Sequence, residues 1–194
     1  MQTAYAILPI TDEEIEGLSA RNPGYSFERS ASGELIVSPP NGFGSSSANA
    51  ELTWQLVSWN KAHGNGFLTD SSGGFRLPDG SLLQPDGAWV SRRRFFEIPE
   101  GRRTGFLPLC PDAVVEILSP SDHHILTRNK VAEFMRNGAQ VGVFLDPFRR
   151  VAEISRYDRP VERLQDPQTV RLEQTYFEGA DADWLLDCAS IFNR

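Results

Sequence analysis

The sequence predicts a mixed α/β (α+β) fold in which helices pack against a single sheet, and three observations carry that expectation. The hydrophobic patterns run in the order helix, meander of strands, central strand, helix, strand, which suits a sheet with helices laid against it. The run DAVVEIL at residues 112–118 is apolar on both alternating faces apart from Glu116, as a strand buried on both sides should be. No internal repeat or low-complexity segment points to a solenoid or a linker.

Taken in order, TDEEIEGLSA offers Thr11 as an N-cap with Glu14 three residues on, the start of a short helix. ERSASGELIVSPP reads as a strand pair turning at Ser32-Gly33 and stopped by Pro39 and Pro40. After a Gly/Ser-rich loop, SANAELTWQLVSWNKAHG sets Leu52, Leu56 and Trp59 at helical spacing and ends at Gly64. FLTDSSGGFRLPDGSLLQPDGAWVS has the punctuation of a strand meander whose last member is roughly GAWVS. A helix is expected at about 123–137, ended by Asn137-Gly138, and VGVFLD and VAEISRY supply two strands joined by DPFRR. One domain over residues 1–194 is expected, with a core at about 34–157 and a tail, 158–194, packed on it through Trp184, Leu185 and Leu186.

At 40% hydrophobic and 23% charged, the 194-residue chain has an ordinary globular composition. No apolar run approaches the roughly 20 residues needed to cross a bilayer. The start MQTAYAILPITDEE lacks a secretory pattern, so the expectation is a cytoplasmic protein with no membrane partner. Cys110 and Cys188 are too few for a disulfide framework and read as core thiols. The net charge of -7 argues against a generic nucleic-acid coat, which neutralises phosphates with Lys and Arg. SRRRFFEIPEGRR concentrates Arg92, Arg93, Arg94, Arg102 and Arg103, as either a solvated loop or a phosphate-steering rim.

Glu116 is the anomaly. A carboxylate in a buried strand needs a cation, a hydrogen-bond donor or a proton. Asp86, after Pro85 at the entry to another strand, is either a turn residue or a second carboxylate brought to the same point. Two such groups repel, and a hard divalent cation, Mg²⁺ or Mn²⁺, between them would relieve it. Lys130 falls in the helical stripe of Leu126, Val131, Phe134 and Met135, so its ammonium either snorkels out or meets a buried anion. Glu116 and Lys130 could equally form a structural ion pair. Glu51 either adds an oxygen ligand or faces water. His123 and His124 are either proton shuttles or, with no partner at readable spacing, helix-start residues, and the second reading is preferred.

Pro85-Asp86, then Glu116 in VVEILSPSD and Lys130 on the next helix, resemble the PD-(D/E)XK nuclease superfamily. The segments ITDEEIEGLSARNPGYSFERSASGELIVSPP, NAELTWQLVSWN, GFRLPDGSLLQPDGAWVS and NGAQVGVFLDP resemble its putative restriction endonuclease branch, over nearly the whole chain to about residue 157. The resemblance implies a restriction-endonuclease-like mixed sheet with metal-binding carboxylates on neighbouring strands. It matches Asp86 and Glu116 to the motif acids. Leu118 stands where the motif lysine usually falls, and Lys130 matches the helix lysine of this branch. The expected activity is hydrolysis of DNA with Mg²⁺ or Mn²⁺ held by Asp86, Glu116 and the carbonyl of Ile117. Lys130 would act on water or phosphate, with Glu51 as outer support. Cutting duplex usually calls for two sites, hence a homodimer. The alternative is an inactive nuclease-fold module that binds nucleic acid or protein.

Overall fold

The computed structural model describes residues 3–7, 10–120 and 122–194. The first half of the chain runs β1 (Ala4–Ile7), α1 (Asp12–Arg21), β2 (Ser26–Arg29), β3 (Glu34–Ser38), α2 (Phe43–Ala62), β4 (Gly66–Thr69), β5 (Phe75–Arg76), β6 (Leu82–Leu83) and β7 (Gly87–Ser91). Then come α3 (Arg92–Glu97), β8 (Ala113–Ile117), α4 (His124–Arg136), β9 (Val141–Asp146), β10 (Val151–Arg156) and β11 (Arg159–Gln165). The chain closes with β12 (Thr169–Leu172), β13 (Trp184–Asp187) and α5 (Cys188–Phe192).

Where the sequence suggested a single sheet, the strands divide. Six form a mixed sheet in the order β11-β10-β9-β8-β7-β4, five form a second sheet in the order β1-β3-β2-β6-β5, and β12 pairs with β13. The β2–β3 hairpin is the nucleus of the second sheet, because it presents one free edge to β1 and the other to β6.

β8 is the hub of the mixed sheet. It pairs antiparallel with β7 and parallel with β9. A parallel pair needs a crossover, and α4 provides it, returning over one face of β8. The alternation expected for DAVVEIL is present: Ala113, Val115 and Ile117 join the main core with α2 and the C-terminal segment, while Val114 and Leu118 pack on the α4 side. Glu116 therefore points at α4.

α4 sits tightly on the sheet. A methyl group added at Gly142 of β9 would stand 2.6 Å from Val131 Cγ1 of α4. Gly142→Ala should push the helix outward and lower stability by about 1–3 kcal/mol, read as an earlier urea midpoint. The stripe read around Lys130 is only half core. Val131 and Phe134 are buried, but Leu126 is 42% exposed.

α1 begins with the expected capping box: Glu14 N donates to the Thr11 hydroxyl at 3.3 Å, and Thr11 N donates to Glu14 Oε2 at 2.8 Å. Ile15 of α1 packs against Phe27, Leu35 and Leu82, covering one face of the second sheet. The opposite face carries Tyr5, Ile36 and Glu28 in one cross-strand row, since Ile36 pairs with both others. That row looks toward α4. α2 starts at Phe43, inside the segment read as a Gly/Ser-rich loop, since burial of Ala48, Leu52 and Leu56 outweighs the weak propensity of its first turns. Trp184 and Leu186 are buried in the main core, whereas strand alternation turns Leu185 outward.

Candidate functional site

Strand pairing sets Gly87 against Val115. Asp86, one residue before β7, thus falls opposite Glu116, at a Cα separation of about 5 Å for such pairs. Asp86 is half-buried and Glu116 is buried. Asp86 Oδ2 accepts from the main-chain N–H of Ile117 at 2.8 Å, and Oδ1 accepts from Asn49 Nδ2 of α2 at 3.1 Å. The carboxylate is held at both oxygens.

Lys130 reaches across from α4. Its Nζ donates to the Gln84 carbonyl at 2.6 Å and stands 2.9 Å from Glu28 Oε1 and 3.1 Å from Glu116 Oε1. Glu28 Oε1 also accepts from Gln84 N at 2.6 Å, so the second sheet and the β7 entry hold the lysine together. The approach to Glu116 is an ion pair by distance alone. Glu116 Oε1 is shut from solvent and has no aligned hydrogen-bond donor.

These groups compete for one positive charge. Burial raises the Glu116 carboxyl well above its ordinary value; Lys130 draws it back only in part, and Asp86 and Glu28 push it further up. Burial likewise pushes Asp86 up to about 6, against the pull of Lys130 and of the Ile117 N–H. For Lys130 burial works against the ammonium, but Glu116, Glu28 and Asp86 outweigh it and keep it charged. Three acidic groups and one ammonium leave an excess of negative charge. A proton or a further cation must balance it.

Asp86, Glu116, Lys130 and Glu28 all line a cleft of about 520 Å³ between α4 and the Tyr5–Ile36–Glu28 row. The two acids and the lysine read from the sequence are therefore together at one cavity. Glu51 is elsewhere. It lies two residues from Asn49, about 200° around α2, and its carboxylate accepts from Arg194 at 2.5 Å, Gln55 at 3.1 Å and Ser190 at 3.2 Å. Asn49, not Glu51, is the α2 residue that touches Asp86. Glu51→Gln should leave Mn²⁺ uptake unchanged in calorimetry while loosening the C-terminal helix, lowering Tm by roughly 2–4 °C for a loss of about 1 kcal/mol.

The arginine cluster is also elsewhere. Arg93 pairs with Glu97 and Glu178, Arg94 with Asp112, and Arg92 and Arg103 lie over phenylalanine rings. It follows β7, whereas Asp86 precedes that strand, a separation of roughly 20 Å at about 3.4 Å per residue. The cluster is not a rim of this cleft. His123 stands at the N-cap of α4 and His124 begins the helix, its ring 3.5 Å from Asp146.

Sequence reading missed Glu28, Gln84 and Asn49. Glu28 had a faint signal, an acid beside Phe27 on a strand that had to bury one face. Gln84 acts through main-chain atoms, which no side-chain pattern announces.

A divalent cation fits these residues in one particular way. Among the described residues, no group of three or more His, Cys, Asp and Glu side chains is placed to hold a metal. Two opposed carboxylates supply hard oxygen donors, fewer than a fully protein-ligated ion needs, and so suit an ion that keeps several waters.

The mixed sheet with α4 laid over β8 defines a restriction-endonuclease-like α/β fold. The chain matches the Uma2 family, described as "Putative restriction endonuclease", over residues 12–183, and it belongs to that family. Its fold is shared by a solved structure described as a putative nuclease from Anabaena variabilis, with a TM-score of 0.72 and 19% identity over 95% of this chain and 98% of that one. No curated protein matches the chain. Among the described residues, no helix is long and apolar enough to cross a membrane.

Proposed function

We propose that the protein is a nuclease that hydrolyses DNA phosphodiester bonds with Mg²⁺ or Mn²⁺. Family membership supports a nuclease-like activity. The observation that carries the reading is the charge imbalance at the cleft, where Asp86, Glu116 and Glu28 share the single ammonium of Lys130.

Asp86 and Glu116, with the carbonyl of Ile117, would hold the ion, which supplies Lewis acidity at the scissile phosphate. Asn49 and the Ile117 N–H fix the Asp86 carboxylate in advance. Lys130 has three N–H groups, and of its contacts with Gln84, Glu28 and Glu116 the last is the longest. Lys130, its ammonium held by the Gln84 carbonyl and Glu28, would offer an N–H to a phosphoryl oxygen or to the attacking water.

Purified protein with Mn²⁺ should nick DNA, and Glu116→Gln should reduce the rate at least a hundredfold while the fold is retained by circular dichroism. Unchanged nicking by Glu116→Gln would assign the activity to another site. A second reading, a nuclease-fold module that binds without cutting, draws on the pairing of Lys130 with Glu28 and Glu116, which already satisfies part of the charge. Calorimetry separates the two: such a module takes up no Mn²⁺ that depends on Asp86.

A further inference from the structure

We propose that the cleft receives an unpaired nucleotide, so that the preferred substrate is single-stranded DNA or an unpaired segment within a duplex. The inference rests on the nuclease reading above and concerns which DNA that site can take.

The first argument is electrostatic. Besides Glu28, Asp86 and Glu116, the cleft is lined by Glu34, Asp122 and Glu133, and Lys130 is its only Lys or Arg among the described residues. Duplex DNA carries about one charge per 1.7 Å of axis, and its binders answer with rows of cations. A wall of six acidic side chains with one ammonium repels such a rod. One inserted phosphate is different, because a divalent ion and Lys130 at the base of the cleft suffice to neutralise it.

The second argument is the placement of apolar surface. Tyr5 and Ile36 extend the row that contains Glu28, and Tyr5 is 40% exposed. Across the cleft, Leu126 lies one helical turn before Lys130 and is 42% exposed. All three line the cavity. An aromatic face on one wall and an aliphatic group on the other, both beside the lysine and the acids, form a slot for a flat ring attached to a phosphate. Unpaired bases stack on such aromatic side chains whatever their identity, whereas paired bases are already stacked. The volume of about 520 Å³ is in the range that encloses a small molecule, as a single nucleotide is. One strand also needs only one active site, which removes the reason to require a homodimer.

The test uses the full chain, Mn²⁺ and three end-labelled DNAs of one sequence: a single strand, a blunt duplex, and a duplex with a central unpaired bulge. The single strand should be cut at least tenfold faster than the blunt duplex in kcat/KM, and the bulged duplex should be cut at the bulge. Tyr5→Ala should raise KM for the single strand about tenfold, Tyr5→Phe should restore it, and Leu126→Ala should act in the same direction as Tyr5→Ala. Blunt duplex cut as fast as the single strand overturns this inference and leaves the nuclease reading intact. A Tyr5→Ala variant as proficient as the parent on the single strand overturns the stacking slot, and with it the proposal. Failure to cut any of the three, with no Mn²⁺ uptake, overturns both.

Discussion

Lys130→Met is expected to abolish Mn²⁺-dependent cleavage and to destabilise the protein by about 3–5 kcal/mol, the range found when one partner of a buried ion pair is removed. The lysine side chain is 18% exposed, and those of Glu28 and Glu116 are 8% and 4% exposed. Methionine fills the space of the stem but leaves two carboxylates and the Gln84 carbonyl facing an apolar group. The Glu116 carboxyl, already lifted by burial, then loses its cation and is buried most cheaply with a proton, so the deficit relative to the parent should shrink as pH falls from 8 to 5. Adding Glu116→Gln should recover much of the stability and none of the cleavage, because the amide removes one unpaired charge but supplies no cation for phosphate. Urea midpoints at a constant slope give the first quantity and nicking rates the second. A Lys130→Met variant as stable as the parent would mean that the Glu116 carboxyl is already neutral and that the ammonium merely snorkels.

The chain announced the parts of this site that are anomalies of local pattern. Glu116 breaks a strand otherwise apolar on both faces, and Lys130 falls in a stripe with Val131 and Phe134, so each was conspicuous without any contact being known. The capping box at Thr11 and the hairpin around Gly33 were legible for the same reason, since their signals are complete within four to six residues. What stayed hidden depends on pairing between distant strands. The split into two sheets follows from which free edges of β2 and β3 recruit β1 and β6, and nothing in ELIVSPP encodes that choice locally. Glu28 is part of the site only because that second sheet turns its Tyr5–Ile36–Glu28 row toward α4. Glu51 illustrates the converse. It shares a helix with Asn49, but helical rotation gives it to Ser190 and Arg194, 139 and 143 residues away in sequence.

Asp86→Asn should stabilise the metal-free protein at pH 7.5 by up to about 3 kcal/mol and should eliminate both cleavage and stabilisation by Mn²⁺. Burial lifts the Asp86 pKa from 3.8 to about 6 in the folded state. The folded protein thus binds a proton that the unfolded chain has already lost between about pH 4 and pH 6. Stability tied to this group is therefore highest below pH 4, falls as pH rises through that window, and stays low above it. At about 1.36 kcal/mol per pKa unit, the loss approaches 3 kcal/mol. Asparagine keeps the shape and can still accept from the Ile117 N–H once the Asn49 amide turns its oxygen toward the new NH2, but it carries no charge to bury. The gain over the parent should consequently be near zero at pH 4 and reach its full size above pH 6. If Asp86 holds the proposed ion, binding relieves the same penalty by another route, so Mn²⁺ should raise the Tm of the parent at pH 7.5 and leave that of Asp86→Asn unmoved. A gain independent of pH would place its origin in packing, and a Mn²⁺-dependent rise that survives the substitution would exclude Asp86 as a ligand. On the proposed reading, the carboxylate that makes the metal-free protein less stable is the one that would receive a cation, a trade of stability for function.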